Sequence, residues 1–407
     1  MTGISAEAGG PMAPATNSAT VSSEHAVARW LENEAPYRIS GAEQMLTPAL
    51  IVLGEAVDSN IAAAIRHSGG DPNRLRPHIK TAKLERVIRR FVDLGIQQCK
   101  CATTREFEVA CASGMRDVLV SFPMMGRNAR RIEEIKSRYP DVTVSALVDH
   151  RDQIGQWDAS TGIFIDVNSG MDRTGIGPAQ SDSALELVRT VIESGRIFRG
   201  LHYYDGHLGS FEFEKRRSLA LSGYDQLAQL ASAIEAAGFE IGEVITSGTF
   251  VFMFASNYAP LAPAKWQLRV SPGAAIYGDT NVMQNIPAEY GFRPAAVVAT
   301  RVVSHPRPDL ITCDAGLKAV AGFAGLPNCA VLGSPGLVPQ RMSEEHLTLQ
   351  APPNAVLPQL GSILYLVPRH AGLTVNNFEV ALFKAADGSV TEELVSAHGH
   401  EPPTQSN

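Results

Sequence analysis

The 407-residue sequence has no long apolar run, and nothing in it approaches the length of a membrane-spanning helix. It also lacks a strong excess of either charge: 35 Lys and Arg stand against 42 Asp and Glu, a net charge of −7. That balance predicts no broad basic face for nucleic acid or anionic lipid, but it permits a local cationic pocket for a small anion. Cysteine is scarce. The five residues at 99, 101, 111, 313 and 329 are odd in number and follow no regular framework. A disulfide scaffold is excluded, and buried core thiols in a reducing, cytoplasmic setting are expected. The opening residues lack a positive start followed by an apolar core, so no secretory signal is expected. Residues 1–25, rich in Ala, Gly, Ser, Thr and Pro, are expected to form a disordered tail.

What the sequence does have is alternation. Strand candidates run over Pro77–Lys80, Gln97–Cys101, Val118–Phe122, Val142–Val148, Gly162–Val167, Ile197–Tyr203, Glu243–Ser247 and Gln267–Val270. Amphipathic stretches at 82–94, 103–114, 127–138, 181–195 and 214–237 fill most gaps, the last with Leu219, Leu227, Leu230 and Ile234 at helical spacing. Eight strands alternating with helices predict an α/β fold, a closed parallel (β/α)8 TIM-type barrel over residues 61–284. After residue 290 the texture turns to short strands: Val297–Val303, Leu310–Cys313, Ala330–Leu332, Glu345–Leu349, Ser362–Val367 and Phe378–Phe383. The apolar run 49–57 can pair with these. A mostly β second domain built from both chain ends, 26–60 and 285–407, follows.

The candidate chemistry gathers where such barrels carry it, at the carboxyl ends of the strands. Lys80 ends the first strand, in RPHIKTAK (76–83). An ammonium partly desolvated in a barrel mouth has a lowered pKa and becomes a nucleophile, as a Schiff base to a carbonyl cofactor requires. The loops after strands seven and eight read TSGTF (246–250) and SPGAAIYGD (271–279), at the usual barrel position for phosphate. Gly248 lets backbone amides approach an anion, Thr249 adds a hydroxyl, and Tyr277 sits between Gly273 and Gly278. Arg173, in IDVNSGMDRTGIG (165–177), projects toward the same mouth and suits a carboxylate or a ring substituent. In GLHYYDGHLGSFE (200–212), Tyr203 or Tyr204 can stack on a flat ring, and His207 can orient it or shuttle protons. Together these residues point to pyridoxal phosphate, an electron sink for charge on an amino acid's α-carbon.

RPHIKTAK resembles the RPHxKTHK signature of the D-threonine aldolase and eukaryotic-type D-serine dehydratase family, fold-type III pyridoxal phosphate enzymes related to alanine racemase. TPALIVLGEAVDSNI (47–61), the 101–126 segment, YYDGHLG (203–209), DAGLKAV (314–320) and VPRHAGLTVN (367–376) follow in that family's order, and the likeness spans about 47–400. SPGAAIYGD is similar to the RPGxxLYG segment of alanine racemases. The resemblance implies that Lys80 bears the cofactor, with His78, Arg173, Tyr203, His207, Ser247, Gly248, Thr249 and Tyr277 around it. It also implies a homodimer.

The family's divalent metal is held by a histidine and, two residues later, a Cys or Asp on one strand face. Here His370 is present, but the partner position is Gly372, which has no ligand atom. The signature departs again at Ala82, where the family often has His. Whether a metal binds is left open, and His370 becomes an acid/base candidate beside His207. The implied activity is retro-aldol cleavage of a D-configured β-hydroxy-α-amino acid to glycine and an aldehyde. β-Elimination to a 2-oxo acid and ammonia, group transfer, racemisation, and a non-catalytic cofactor-binding protein are the alternatives.

Overall fold

The computed structural model describes residues 30–262, 265–323 and 325–403, so the expected tail lies outside the described residues. Seven strands form one parallel sheet in chain order: Gln98–Cys101, Asp117–Val120, Thr143–Val148, Gly162–Val167, Ile197–Tyr203, Glu243–Thr246 and Gln267–Val270. The expected strand Pro77–Lys80 is not a regular strand. Its segment closes the barrel through isolated parallel bridges, Leu75 to Val270 and His78 to Lys100. Arg76 N–H donates to the Val270 carbonyl at 2.9 Å, and Lys100 N–H to the Pro77 carbonyl at 2.8 Å. Pro77 has no N–H to extend the ladder, and Ile79 and Lys80 already lie in a turn.

The expected helices appear as Glu85–Asp93, Thr104–Ala112, Arg127–Lys136, Ser181–Glu193 and Phe213–Ala236. They cover the outer faces of strands that are buried on both sides.

Inside the barrel the side chains form three layers. The lowest is charged: Arg76, Asp117, Arg199, Glu243 and Arg269. The middle layer is apolar, a separate buried cluster of Leu119, Leu147, Phe164 and Ile245. The upper layer is polar again, with Lys100, Asp166 and His202. Gly200 makes room for this stacking. It sits at φ +148, and a Cβ there would lie 1.8 Å from the Glu243 carbonyl oxygen.

The second sheet has nine strands drawn from both chain ends. Ala49–Leu53 pairs antiparallel with Ala296–Arg307 and parallel with Val380–Lys384. The apolar run 49–57 is strand only to Leu53, because the helix Gly54–His67 begins there. Two strands without strong apolar alternation escaped the sequence reading, Val338–Met342 and Val390–Leu394. All five cysteines are free and buried. Among the described residues no helix is long and apolar enough to cross a membrane.

Candidate active site

A cavity of about 140 Å3 opens at the carboxyl end of the barrel, lined by His78, Lys80, Lys100, Arg173, His202 and Tyr204 among others. The Tyr204 ring is its centrepiece. Lys80 Nζ lies 5.8 Å from the ring centroid, Lys100 Nζ 5.6 Å and the Arg173 guanidinium carbon 5.1 Å. Lys80 is open to solvent through the mouth yet walled by protein on its other sides. That confinement, with Arg173 nearby, lowers its pKa.

The histidine tautomers follow from their partners. His78 Nδ1 accepts the Lys80 backbone N–H at 3.2 Å, so the ring proton sits on Nε2 and donates to Ser121 Oγ at 3.2 Å. Burial, then the charge of Lys80, holds His78 well below the ordinary histidine pKa. His202 has the opposite tautomer. Its Nδ1–H donates to Asp166 at 2.7 Å, leaving Nε2 to accept from Lys100 Nζ at 3.2 Å. Thr174 Oγ1 donates to the other Asp166 oxygen at 2.7 Å. Burial pushes Lys100 down to about 7, with the Lys80 charge adding to the effect.

The two expected anion loops sit side by side. Thr249 Oγ1 accepts the Ala274 N–H at 2.9 Å, joining them. Gly248 N–H donates to Asp205, whose other oxygen accepts from the Tyr224 hydroxyl at 2.8 Å. Burial lifts the Asp205 carboxyl to about 6 against those bonds. Ser247 Oγ, which lies toward the Tyr224 hydroxyl, and Ser271 Oγ are buried without a hydrogen-bond partner. Gly273 passes so close to the first segment that a Cβ would stand 2.9 Å from the His78 carbonyl oxygen. Orphaned hydroxyls on two adjoining loops, glycine approaches and a pKa-lowered lysine across the mouth fit a phosphate-bearing aldehyde cofactor, with Lys80 as its amine.

Several expected residues stand elsewhere. Tyr203 turns outward: a Cβ at Gly223, on the outer helix, would lie 2.2 Å from its hydroxyl, and its ring meets Tyr224 edge-on. Tyr204 is the tyrosine in the mouth. Tyr277 is fully buried and donates to the Ala82 carbonyl at 2.6 Å, tying its loop to the Lys80 turn. His207 does not line the cavity, and its Nδ1 is buried without a partner. Lys100, His202 and Asp166 were missed. Their signal was a polar residue at an inward strand position, as in QCKC (98–101).

His370 and residue 372 do not share a strand face. The strand Ile363–Pro368 ends before them, and His370 caps the short helix Ala371–Val375. Its Nδ1 accepts the Leu373 N–H at 3.2 Å. Asp279 pins this turn to the barrel by accepting the Ala371 N–H at 2.9 Å, and burial raises its carboxyl to about 7. Among the described residues no group of three or more His, Cys, Asp or Glu side chains converges as a metal site. Gly372 offers no donor atom, so the residues around His370 do not fit a divalent metal.

The alanine racemase N-terminal domain model matches residues 53–281, and the serine dehydratase domain model matches 295–383. A D-threonine aldolase from Arthrobacter sp is 26% identical over 364 residues, covering 87% of this chain and 93% of that protein. A 3-hydroxy-D-aspartate aldolase from Paracoccus denitrificans (strain Pd 1222) is 27% identical over 350 residues, covering 82% and 87%. The crystal structure of D-threonine aldolase from Filomicrobium marinum matches with a TM-score of 0.79 at 26% identity, covering 87% of this chain and 96% of that one.

Proposed function

The chain belongs to the alanine racemase-like, fold-type III family of pyridoxal phosphate enzymes, and on that premise we propose that it is a lyase cleaving a D-configured β-hydroxy-α-amino acid to glycine and an aldehyde. The observation that carries this reading is the likeness to two aldolases, each spread over more than four fifths of the chain. Bound at Lys80, pyridoxal phosphate supplies an electron sink for charge left on the substrate's α-carbon.

The chain's own residues support the rest. Burial and Arg173 favour a neutral Lys80 amine, the form that bonds a carbonyl. Arg173 makes no ion pair among the described residues and lies open at the mouth, suited to the substrate carboxylate. Because His370 Nδ1 accepts a backbone N–H, its neutral ring carries the proton on Nε2. It then serves as a hydrogen-bond donor to the substrate oxygen rather than as the base. Burial lowers the pKa of that ring and so favours its neutral form.

The match of residues 295–383 to the serine dehydratase domain favours β-elimination as the second reading. A product assay separates the two. Holoenzyme given D- and L-threonine and 3-hydroxyaspartate, with and without a chelator, is expected to release glycine and an aldehyde from the D-substrates, unaffected by chelation. Release of a 2-oxo acid and ammonia that stops on chelation overturns the proposal.

A further inference from the structure

Lys100 is a second lysine in the mouth. It stands on a barrel strand between Cys99 and Cys101, and only 2% of its surface is exposed. It lines the same cavity as Lys80, with its ammonium nitrogen near the same Tyr204 ring. Behind it, His202 and Asp166 form a buried chain with links of 3.2 and 2.7 Å. Among the described residues, this hydrogen-bonded chain holds no carboxylate besides Asp166. Its one carboxylate serves a mouth that also holds Lys80 and Arg173.

We propose that Lys100 is the base of the lyase: its amine takes the β-hydroxyl proton of the substrate, and the Asp166–His202 pair steadies the ammonium that forms. This rests on the lyase reading. The two imidazoles expected for that role are poorly placed, since His370 presents a proton and His207 Nδ1 is covered. The proton balance closes within the mouth. The neutral amine gains the hydroxyl proton as the Cα–Cβ bond breaks and the oxygen becomes the aldehyde carbonyl; the electron pair of that bond stays on the α-carbon side, and the ammonium then returns its proton to the α-carbon to give glycine.

The charges that face Lys100 fit this cycle. Burial and the Lys80 ammonium drive its proton off, Arg76 adds to that effect, and Asp166 and Asp205 oppose it. Because the base acts as the free amine, turnover rises with pH through the Lys100 titration.

The test compares Lys100→Met and Lys100→Arg holoenzymes with the wild type. The cofactor's visible band, and its change on titration with glycine, report loading and amine exchange without requiring cleavage. Both variants are expected to keep that band and to bind glycine within about threefold, while kcat for aldehyde release falls about 10²–10⁴-fold. Lys100→Arg keeps the charge but cannot accept a proton. Full turnover in Lys100→Arg therefore overturns the proposal, as does, in a variant that keeps the band, a parallel loss of the glycine response and of cleavage.

Should either variant lose the band, the pH profile of His202→Gln decides. The neutral limb of kcat must move, and an unmoved limb overturns the role. If the wild type instead yields a 2-oxo acid, the lyase reading fails on its products and the Lys100 role falls with it. Glycine and aldehyde from variants of full activity would leave the reading standing without Lys100.

Discussion

At the amino-terminal end of the barrel, the fully buried Arg76 guanidinium is bracketed by Asp117 at 2.7 Å and Glu243 at 2.8 Å, and Arg199 and Arg269 complete the ring. At the carboxyl end, Lys80, Lys100 and Arg173 crowd one aromatic ring, with Asp166 as the carboxylate of that cavity's hydrogen-bond chain. The same strands build both ends, and an apolar layer separates them. Below, the guanidinium groups have carboxylates and the geometry is closed, which is how buried charge becomes structure. Above, amines are held off their usual pKa and the Ser247 and Ser271 hydroxyls lack partners among the described residues. The two ends of the barrel interior are both charged and differ in how completely the charges are paired.

Four substitutions sharpen or break that contrast. The largest effect is expected at Lys80. Lys80→Ala should abolish the visible band of the bound cofactor and lower turnover by at least about 10⁴-fold, with the far-ultraviolet circular dichroism unchanged. A retained band would remove Lys80 from its role.

Next comes the base layer. Arg76→Met leaves Asp117 and Glu243 facing each other with less compensation, so stability should drop by about 3–5 kcal/mol in denaturant titrations. Burial tends to raise the Asp117 carboxyl, but Arg76, with help from Arg199, holds it far below the ordinary range. Its stabilisation is thus present above the usual carboxylate pKa and is lost as pH falls through its own. Acid unfolding of Arg76→Met should begin at a higher pH than in the wild type.

A smaller effect is expected where the loops approach the first segment. Gly273→Ala sets a methyl 2.9 Å from the His78 carbonyl oxygen, and cofactor affinity should weaken about tenfold without loss of fold. Equilibrium dialysis of the apoenzyme would show it.

The smallest effect is a slope. Lys100 falls from 10.5 to about 7 on folding, so between those values the unfolded chain binds more protons and stability rises with pH. Lys100→Met should remove the slope and raise the melting temperature at pH 7 by about 2 °C or more. A melting temperature that falls instead would place Lys100 with the satisfied layer.

Four basic residues of RPHIKTAK show how far the sequence reaches. Arg76 closes the lower layer, His78 walls the cavity, Lys80 lines it, and Lys83 is buried with Glu106 at 3.7 Å. Lys80 is the one whose role the residues themselves suggest, because a lysine after a strand-like run in a barrel pattern has a chemical reason to be there; His78 enters through the family resemblance alone, and Arg76 and Lys83 carry no expectation. Periodicity also located Gly162–Val167, Ile197–Tyr203 and Gln267–Val270 to the residue.

The sequence by itself determined the alternating architecture, a lysine at the end of the first barrel segment and the glycine-bearing loops, since all three are local: strand length, helical spacing and turn chemistry are written in consecutive residues. Tertiary structure alone decided that Tyr204 and not Tyr203 enters the mouth, that His370 caps a helix, and that Lys100, His202 and Asp166 meet. Strands of a parallel barrel are buried on both faces, so apolar alternation does not say which face is inside. That phase is fixed when the strands pair around the closed ring, and it determines which polar side chains are forced together in the upper layer.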